Sequence, residues 1–255
     1  MFEFHGRVGL TIGNFEGFHR GHREIVRTLR ARSLSRGLKT AVITFKEHPL
    51  KLLHGVEPER LTLPHEKLVY LQKAGVDLLL YLDFSAELAD TEPEDFLHMI
   101  QRELAPGLLC LGKGFRFGKD NRGDIEFLHD SVKGFRYELL VVDDVVYRGG
   151  PVSSTRIRVA VKKGDFDLAG ALLGRDYHLY VTADPGDNLL RPLCANCAFP
   201  DHGRYGGVLM GIESGKNCKV VVERIEEGFS FSDDVDLRGE AFFMLQFSHR
   251  LDYQK

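Results

Sequence analysis

Two histidines three positions apart, His19 and His22, are the residues of this chain with the clearest capacity for chemistry. Imidazole N–H groups can donate hydrogen bonds to the charge that builds up on a reacting phosphate. Gly13 and Gly17 precede the pair, and glycines let a backbone approach a ligand closely. Taken alone, the pair is also compatible with a turn that holds two incidental histidines, or with a two-histidine metal site.

The elements around the pair favour phosphate. An apolar run at residues 8–12 predicts a buried strand, and the apolar residues of 23–34 recur at helical spacing. A strand, a glycine-containing turn and a helix N-terminus form a pocket suited to phosphate. The first helical turn offers unpaired N–H groups and the positive end of the helix dipole.

The chain up to residue 176 alternates apolar runs with helical patterns. Strands are predicted at 38–45, 76–82, 108–111 and 137–142, and helices at 64–74, 92–104 and 124–133. Such alternation predicts an α/β fold, a parallel sheet covered by helices on both faces. In sheets of this kind ligands bind beyond the carboxyl ends of the strands, where the histidine motif lies.

The pattern changes from residue 177. Short extended runs at 177–182, 207–212, 219–224 and 242–247 are separated by turn-forming clusters such as 184–187 and 214–217. We therefore predict an α/β domain over residues 1–176 and a small all-β, barrel-like domain over residues 177–255.

Composition indicates which kinds of binding partner this chain is suited to. The 255-residue chain has a net charge of −3, so no strong positive field favours nucleic acid. It shows neither a signal peptide nor an apolar run of membrane-spanning length, and we expect a cytoplasmic protein with no membrane partner.

Cys194 and Cys197 have the spacing of a metal site, and His202 and Cys218 could complete the set of ligands, so zinc stays open as an alternative. The sequence carries no signal for an oligomeric state.

A second motif lies at Ser153, Ser154, Thr155 and Arg158. Ser and Thr cap helix N-termini, and their hydroxyls together with the free N–H groups can hold a triphosphate. The guanidinium of Arg158 supplies a fixed charge with a bidentate fork for the β- and γ-phosphates. Alone, the motif would in most proteins be only a capped amphipathic helix, without a ligand.

Together these strings resemble a known family. Residues 13–22 resemble the signature of the nucleotidylyltransferases, and in particular the FAD synthetase half of bacterial bifunctional riboflavin kinase/FAD synthetases. Residues 44–49, 112–118 and 152–158 resemble further strings of that family. Three positions depart from its pattern: Glu16 replaces an aspartate, Glu47 replaces a proline, and Gly114 stands where the family has Asp or Asn.

The resemblance implies a Rossmann-like nucleotidylyltransferase domain that makes FAD and diphosphate from FMN and ATP with Mg²⁺. The magnesium would be held largely by phosphate oxygens, so no protein ligand is predicted. The implied catalytic residues are His19, His22, Ser154, Thr155 and Arg158. The implied nucleotide- and flavin-binding residues are Gly13, Asn14, Phe15, Gly17, Phe45, His48, Pro49, Gly112, Phe115, Arg116, Phe117 and Ser153.

The β tail resembles the riboflavin kinase barrel of the same family, in an eroded form. Leu193, Cys194, Ala195 and Asn196 stand where the kinase carries Pro-Thr-Ala-Asn, and a thiol is a poor ligand for a hard cation. We therefore expect the kinase activity to be lost. Two alternatives remain: a nucleotidylyltransferase for another phosphorylated acceptor, and a degenerate flavin- or nucleotide-binding protein without turnover.

Overall fold

A computed structural model describes residues 7–183, 188–231, 237 and 240–251. The chain divides into two compact units. The first consists of the residues up to 58 together with 64–151, and the second consists of 59–63 and the residues from 152 onward. The domain boundary expected after residue 176 stays a prediction, and the turn cluster at 184–187 lies outside the described residues.

The first unit is built on a parallel sheet. Its strands are β1 (Val8–Ile12), β2 (Lys39–Phe45), β3 (Leu78–Leu82), β4 (Leu108–Gly112) and β5 (Glu138–Val142). They pair in the order β3-β2-β1-β4-β5, and every pairing is parallel. A separate two-stranded hairpin joins β6 (Val146–Tyr147) to β7 (Gly150–Pro151). The α/β fold predicted from the alternating pattern is confirmed.

The helices of this unit are α1 (Arg20–Leu34), α2 (Pro49–His54), α3 (Pro64–Lys73), α4 (Ala86–Ala89), α5 (Pro93–Leu104) and α6 (Ile125–Phe135). Two 3-10 turns, Glu16–Phe18 and Lys119–Asn121, complete it. The short helices α2 and α4 were not predicted, because four to six residues give too little periodicity to detect. Among the described residues, no helix is both long enough and apolar enough to cross a membrane.

Helices cover both faces of the sheet, as predicted. Leu109 and Leu111 of β4 belong to one core cluster, which includes residues of α5 and α6 such as Phe96. Leu108 and Cys110 of the same strand belong to a cluster on the opposite face with residues of α1. Successive side chains of a strand point to opposite faces, so a strand covered on both sides is apolar throughout. The continuous apolar runs of the sequence follow from this.

The second unit contains α7 (Ser154–Lys163), α8 (Phe166–Leu173) and an antiparallel β-barrel. The barrel strands are β8 (His178–Ala183), β9 (Leu189–Pro192), β10 (Gly203–Gly211), β11 (Asn217–Ile225), β12 (Gly228–Phe231) and β13 (Phe242–Leu251). They close in the order β10-β11-β12-β9-β8-β13. Buried aromatic rings fill the core, and Phe166 of α8 stacks on Phe247 with 4.7 Å between ring centroids. The predicted barrel-like fold is confirmed, and β9 and β12 are the strands that the sequence did not reveal.

Candidate active site

The histidine motif follows the carboxyl end of β1. Gly13 N–H donates to the Ile43 carbonyl of β2 at 3.0 Å, and the chain then makes a 3-10 turn and enters α1 at Arg20. The strand order reverses at β1, since β2 lies on one side of it and β4 on the other. Ligand crevices of open α/β sheets form at such a reversal, outside the carboxyl ends of the strands. The fold therefore puts the motif where a ligand is expected.

The turn between β1 and α1 holds an unusual backbone. Phe15, Gly17 and Phe18 all have positive φ angles, of 49°, 71° and 37°. Glycine adopts this conformation freely, whereas each phenylalanine pays a conformational cost. The rings of Phe15 and Phe18 are buried in one cluster with Val26 and Leu71, which holds the turn in place. Backbone strain of this kind is concentrated at functional sites.

His19 caps α1. Its Nδ1 accepts the His22 backbone N–H at 3.4 Å, and its ring stacks on the His22 ring with 3.6 Å between centroids. An imidazole nitrogen that accepts a hydrogen bond carries no proton, so the neutral ring carries its proton on Nε2. The capping bond therefore makes Nε2 the protonated nitrogen of the neutral His19 ring.

His22 is held as a neutral ring. Burial lowers its pKa well below the ordinary value, and the neighbouring His19 and Lys67 lower this pKa further. The ring also packs edge-on against Phe15, with 5.2 Å between centroids. Its Nδ1 is buried and has no hydrogen-bond partner among the described residues. At neutral pH His22 therefore offers an imidazole donor and not an imidazolium cation.

The sequence analysis did not single out Lys67 and Thr44, whose side chains donate to carbonyls at the ends of β1 and β2. Lys67 of α3 is only 6% exposed, and its Nζ donates to the carbonyls of Phe45 at 2.7 Å and Asn14 at 3.2 Å. The hydroxyl of the fully buried Thr44 donates to the same Asn14 carbonyl at 3.1 Å. A signal for Lys67 existed: it lies four residues before the buried Leu71, on the core-facing side of α3.

The motif at 44–49 leads from β2 into α2. Phe45 packs edge-on against Phe84 with 5.3 Å between centroids. His48 is the N-cap of α2, its Nδ1 accepting the Leu50 N–H at 3.3 Å, and Pro49 opens the helix. The cap fixes the orientation of the His48 ring. The flavin contacts expected for these residues stay predictions.

The motif at 112–118 follows β4. A Cβ on Gly112 would lie 3.2 Å from Ile25 Cδ1, so α1 leaves little room for a side chain. Phe117 is buried and packs on Phe96 with 5.4 Å between centroids, while Phe115 is only partly buried. Arg116 pairs with Asp124 at 3.1 Å. Core packing accounts for Phe117 by itself, and the ligand contacts expected of this motif stay predictions.

The serine–threonine–arginine motif belongs to the second unit. Ser153 is the N-cap of α7, and its hydroxyl accepts the Arg156 N–H at 3.3 Å. Thr155 is exposed and Ser154 is partly exposed in the first turn of the helix. Arg158 Nε donates to the Glu59 carbonyl at 2.5 Å, which ties the guanidinium to the 59–63 segment of the same unit.

The structure brings three of the four motifs together at the carboxyl ends of adjacent strands, β2, β1 and β4. The fourth lies in the other unit. Among the described residues no group of three or more His, Cys, Asp or Glu side chains is arranged to hold a metal ion. The zinc alternative for Cys194, Cys197, His202 and Cys218 therefore has no support in the described residues.

Comparison with known proteins places the chain in a family. The family model described as FAD synthetase matches residues 2–156. The bifunctional riboflavin kinase/FMN adenylyltransferase of Escherichia coli K12 is 33% identical over 186 residues, which are 72% of this chain and 59% of that protein. The corresponding protein of Pseudomonas fluorescens is 35% identical over 188 residues, again 72% of this chain and 59% of the relative. The FAD synthetase of Listeria monocytogenes is 32% identical over 180 residues, 70% of this chain and 73% of the relative.

The fold also matches a solved structure. A crystal structure described as a macrolide-efflux protein from Streptococcus pneumoniae superposes with a TM-score of 0.83 at 22% identity, covering 97% of this chain and 87% of that one. At this identity the likeness shows the fold alone. The chain spans about three fifths of the length of the bifunctional relatives that it matches, 59% in the E. coli protein. The family model and the relatives, taken with the motif geometry, show that this chain belongs to the FAD synthetase family.

Proposed function

We propose that this chain is an FMN adenylyltransferase, which transfers AMP from ATP to FMN and releases FAD and diphosphate. The observation that carries the proposal is the stacked pair His19 and His22 at the N-terminus of α1, beyond the carboxyl end of β1. Membership of the FAD synthetase family supports it, as does the similarity to bacterial riboflavin kinase/FMN adenylyltransferases and to an FAD synthetase.

For this reaction the protein must align FMN with ATP and neutralise charge on the phosphoryl oxygens. A phosphate oxygen of FMN attacks the α-phosphorus of ATP, one P–O bond forms, and the P–O bond to the leaving diphosphate breaks. No covalent enzyme intermediate is needed, so catalysis rests on alignment and on stabilising charge on the phosphoryl oxygens. ATP enters as its magnesium complex, with the ion on phosphate oxygens, and we assign it no protein ligand.

The two histidines are proposed to stabilise the α-phosphate. We propose that His19 donates through Nε2–H, the nitrogen that the capping bond leaves protonated, and burial keeps His22 neutral and able to donate as well. The positive end of the α1 helix dipole adds to the same field. Gly13, Asn14, Phe15 and Gly17 shape the nucleotide pocket beside the pair.

Ser153, Ser154, Thr155 and Arg158 are proposed to hold the leaving diphosphate. Support comes from the N-terminus of α7, where Ser153 provides the cap and the side chains of Ser154 and Thr155 reach solvent. A helix N-terminus with accessible hydroxyls is suited to polyphosphate, and an arginine fork fits it in two contacts.

An apolar surface supports flavin as the acceptor. Helix α2, which begins at Pro49 of the 44–49 motif, leaves Leu50, Leu52 and Leu53 exposed by 37%, 47% and 44%. Large exposed apolar side chains in one place mark a binding surface, and a flat aromatic ring system is suited to it. We propose that the isoalloxazine ring contacts this region with Phe45, His48 and Pro49, and that Gly112, Phe115, Arg116 and Phe117 complete the pocket.

The barrel is proposed to lack riboflavin kinase activity. Cys194 lies in the turn after β9, at the position where the kinase motif requires a threonine. Its thiol does not replace a hydroxyl as a ligand for Mg²⁺. In this proposal the chain uses FMN made elsewhere.

The test is direct. The purified chain is incubated with ATP, Mg²⁺ and one of FMN, riboflavin or another phosphorylated acceptor such as nicotinamide mononucleotide, and the products are separated by chromatography. Of these acceptors, only FMN is expected to give a product with ATP, and the products are FAD and diphosphate. If another acceptor gave product in preference to FMN, the chain would be a nucleotidylyltransferase for that acceptor and FMN would not be its substrate. If the chain bound nucleotide without releasing diphosphate, it would be a binding protein without turnover.

A further inference from the structure

The most unusual charged group in the first unit is the ammonium of Lys67. Lysine is almost never fully buried, because removing its charge from water is costly unless hydrogen bonds compensate. Lys67 is 6% exposed, and it donates to two main-chain carbonyls while lying 5.3 Å from the centre of the Tyr81 ring. A methionine would fill this space at a lower desolvation cost. Packing alone therefore does not explain why a charged side chain is buried here.

The contacts of Lys67 lead to the histidine pair. Its two acceptors are the carbonyls of Asn14, just after β1, and Phe45, at the end of β2. The Asn14 carbonyl precedes the left-handed Phe15, whose ring packs against His22. Thr44 and Lys67 together fix this carbonyl with two donors, and so fix the direction in which the chain enters the strained turn.

We propose that Lys67 is a positioning residue for adenylyl transfer, which fixes the turn that carries His19 and His22 and supplies a positive charge beneath it. The proposal rests on the proposed function for its catalytic readout. Its electrostatic part concerns this chain's own side chains and can be measured without any substrate.

The charge of Lys67 acts on His22. The groups whose charge bears on this ring are Lys67 on α3 and His19 at its own helix start, and both lower the pKa of His22. The carboxylates on the same elements are Glu16 in the 3-10 turn, Glu66 on α3, which accepts the Tyr70 hydroxyl at 3.2 Å, and Glu24 on α1, which pairs with Arg27. Loss of the Lys67 charge therefore makes protonation of His22 easier and raises its pKa.

The experiment compares Lys67→Met with Lys73→Met. The two lysines lie on the same helix, but Lys73 is exposed, so the control removes the same charge without touching the buried contacts. The pKa of His22 is measured by NMR titration of the imidazole signals, assigned with His22→Gln. The rate of FAD formation gives kcat and KM for ATP and for FMN.

Lys67→Met is expected to raise the pKa of His22 and to lower kcat by about 10–100-fold, the loss typical of a misplaced reacting group, with smaller changes in KM. Lys67→Arg, which retains the charge, should keep the low pKa of His22. Lys73→Met should change neither quantity. A folded Lys67→Met with parental pKa of His22 and parental kcat would overturn the proposal.

Thr44→Val provides a second variant in case Lys67→Met does not fold. It removes the other donor to the Asn14 carbonyl, and should lower kcat while leaving the pKa of His22 in place, because no charge is lost. Unchanged kcat in this variant would overturn the positioning role. If the parental chain forms no FAD, the proposed function fails, while the NMR titration still decides whether Lys67 acts on His22.

Discussion

His19 has two roles that substitution can separate, one in stability and one in catalysis. Its Nδ1 caps α1 by accepting the His22 N–H, and its Nε2–H is the proposed donor to the α-phosphate. His19→Ala removes both groups. His19→Asn removes the imidazole but places a side-chain oxygen where asparagine, a preferred N-cap residue, can accept the same N–H.

The magnitudes differ enough to distinguish the two roles. Loss of an N-cap costs about 0.5–2 kcal/mol, and the 3.4 Å length of this bond indicates the lower end of that range. His19→Ala should therefore lower Tm by about 1–2 °C, and His19→Asn by less. Loss of a donor to a transition-state oxygen typically costs about 10²–10³-fold in rate, so both variants should lose FAD formation to a similar extent.

The assay combines thermal unfolding with steady-state formation of FAD. Asp165→Ala is the matched control, since Asp165 caps α8 by accepting the Leu168 N–H at 3.0 Å and has no proposed part in the reaction. It should lose stability and keep its turnover. If His19→Asn retained parental turnover, the donor role of the imidazole would be refuted. If the Asn and Ala variants were equally stable, the capping role would be refuted.

Because the pKa of His22 in the folded chain lies below its ordinary value of about 6.5, the unfolded chain binds the proton first as pH falls. The free energy of unfolding should decrease below about pH 6.5, and urea titrations of His22→Gln should show a shallower decrease. Arg158→Lys should raise KM for ATP more than KM for FMN, because lysine loses the bidentate fork; steady-state kinetics showing an effect on FMN alone would contradict this assignment. Chromatography should detect no FMN from riboflavin and ATP, and FMN formation sensitive to Cys194→Thr would contradict the loss of kinase activity. Gly114→Asn should leave Tm unchanged and turnover equal or higher, because a Cβ at this glycine meets no atom within 4 Å, and a loss of FAD formation would count against this expectation.

The amino-acid sequence alone determined the local elements of the first unit. The apolar runs predicted all five strands of the parallel sheet, because strands buried on both faces are apolar at every position. The apolar spacing likewise predicted α1, α3, α5 and α6, with ends that differ by a few residues. Helix caps could also be predicted from residue type, and Ser153 is indeed the N-cap of α7. The site motifs were recognisable because the residues that cradle phosphate are close together along the chain.

Only the tertiary structure decided which groups became neighbours across the chain. Strands β9 and β12 are four residues each, too short to show a period, and they exist because β8 and β11 supply hydrogen-bonding partners. Lys67 counts as an ordinary surface charge in the sequence. It becomes a buried donor because β1 and β2 end side by side and present two carbonyls to α3. A local pattern records helical and strand periods and caps, whereas burial of a polar group depends on partners distant in the chain.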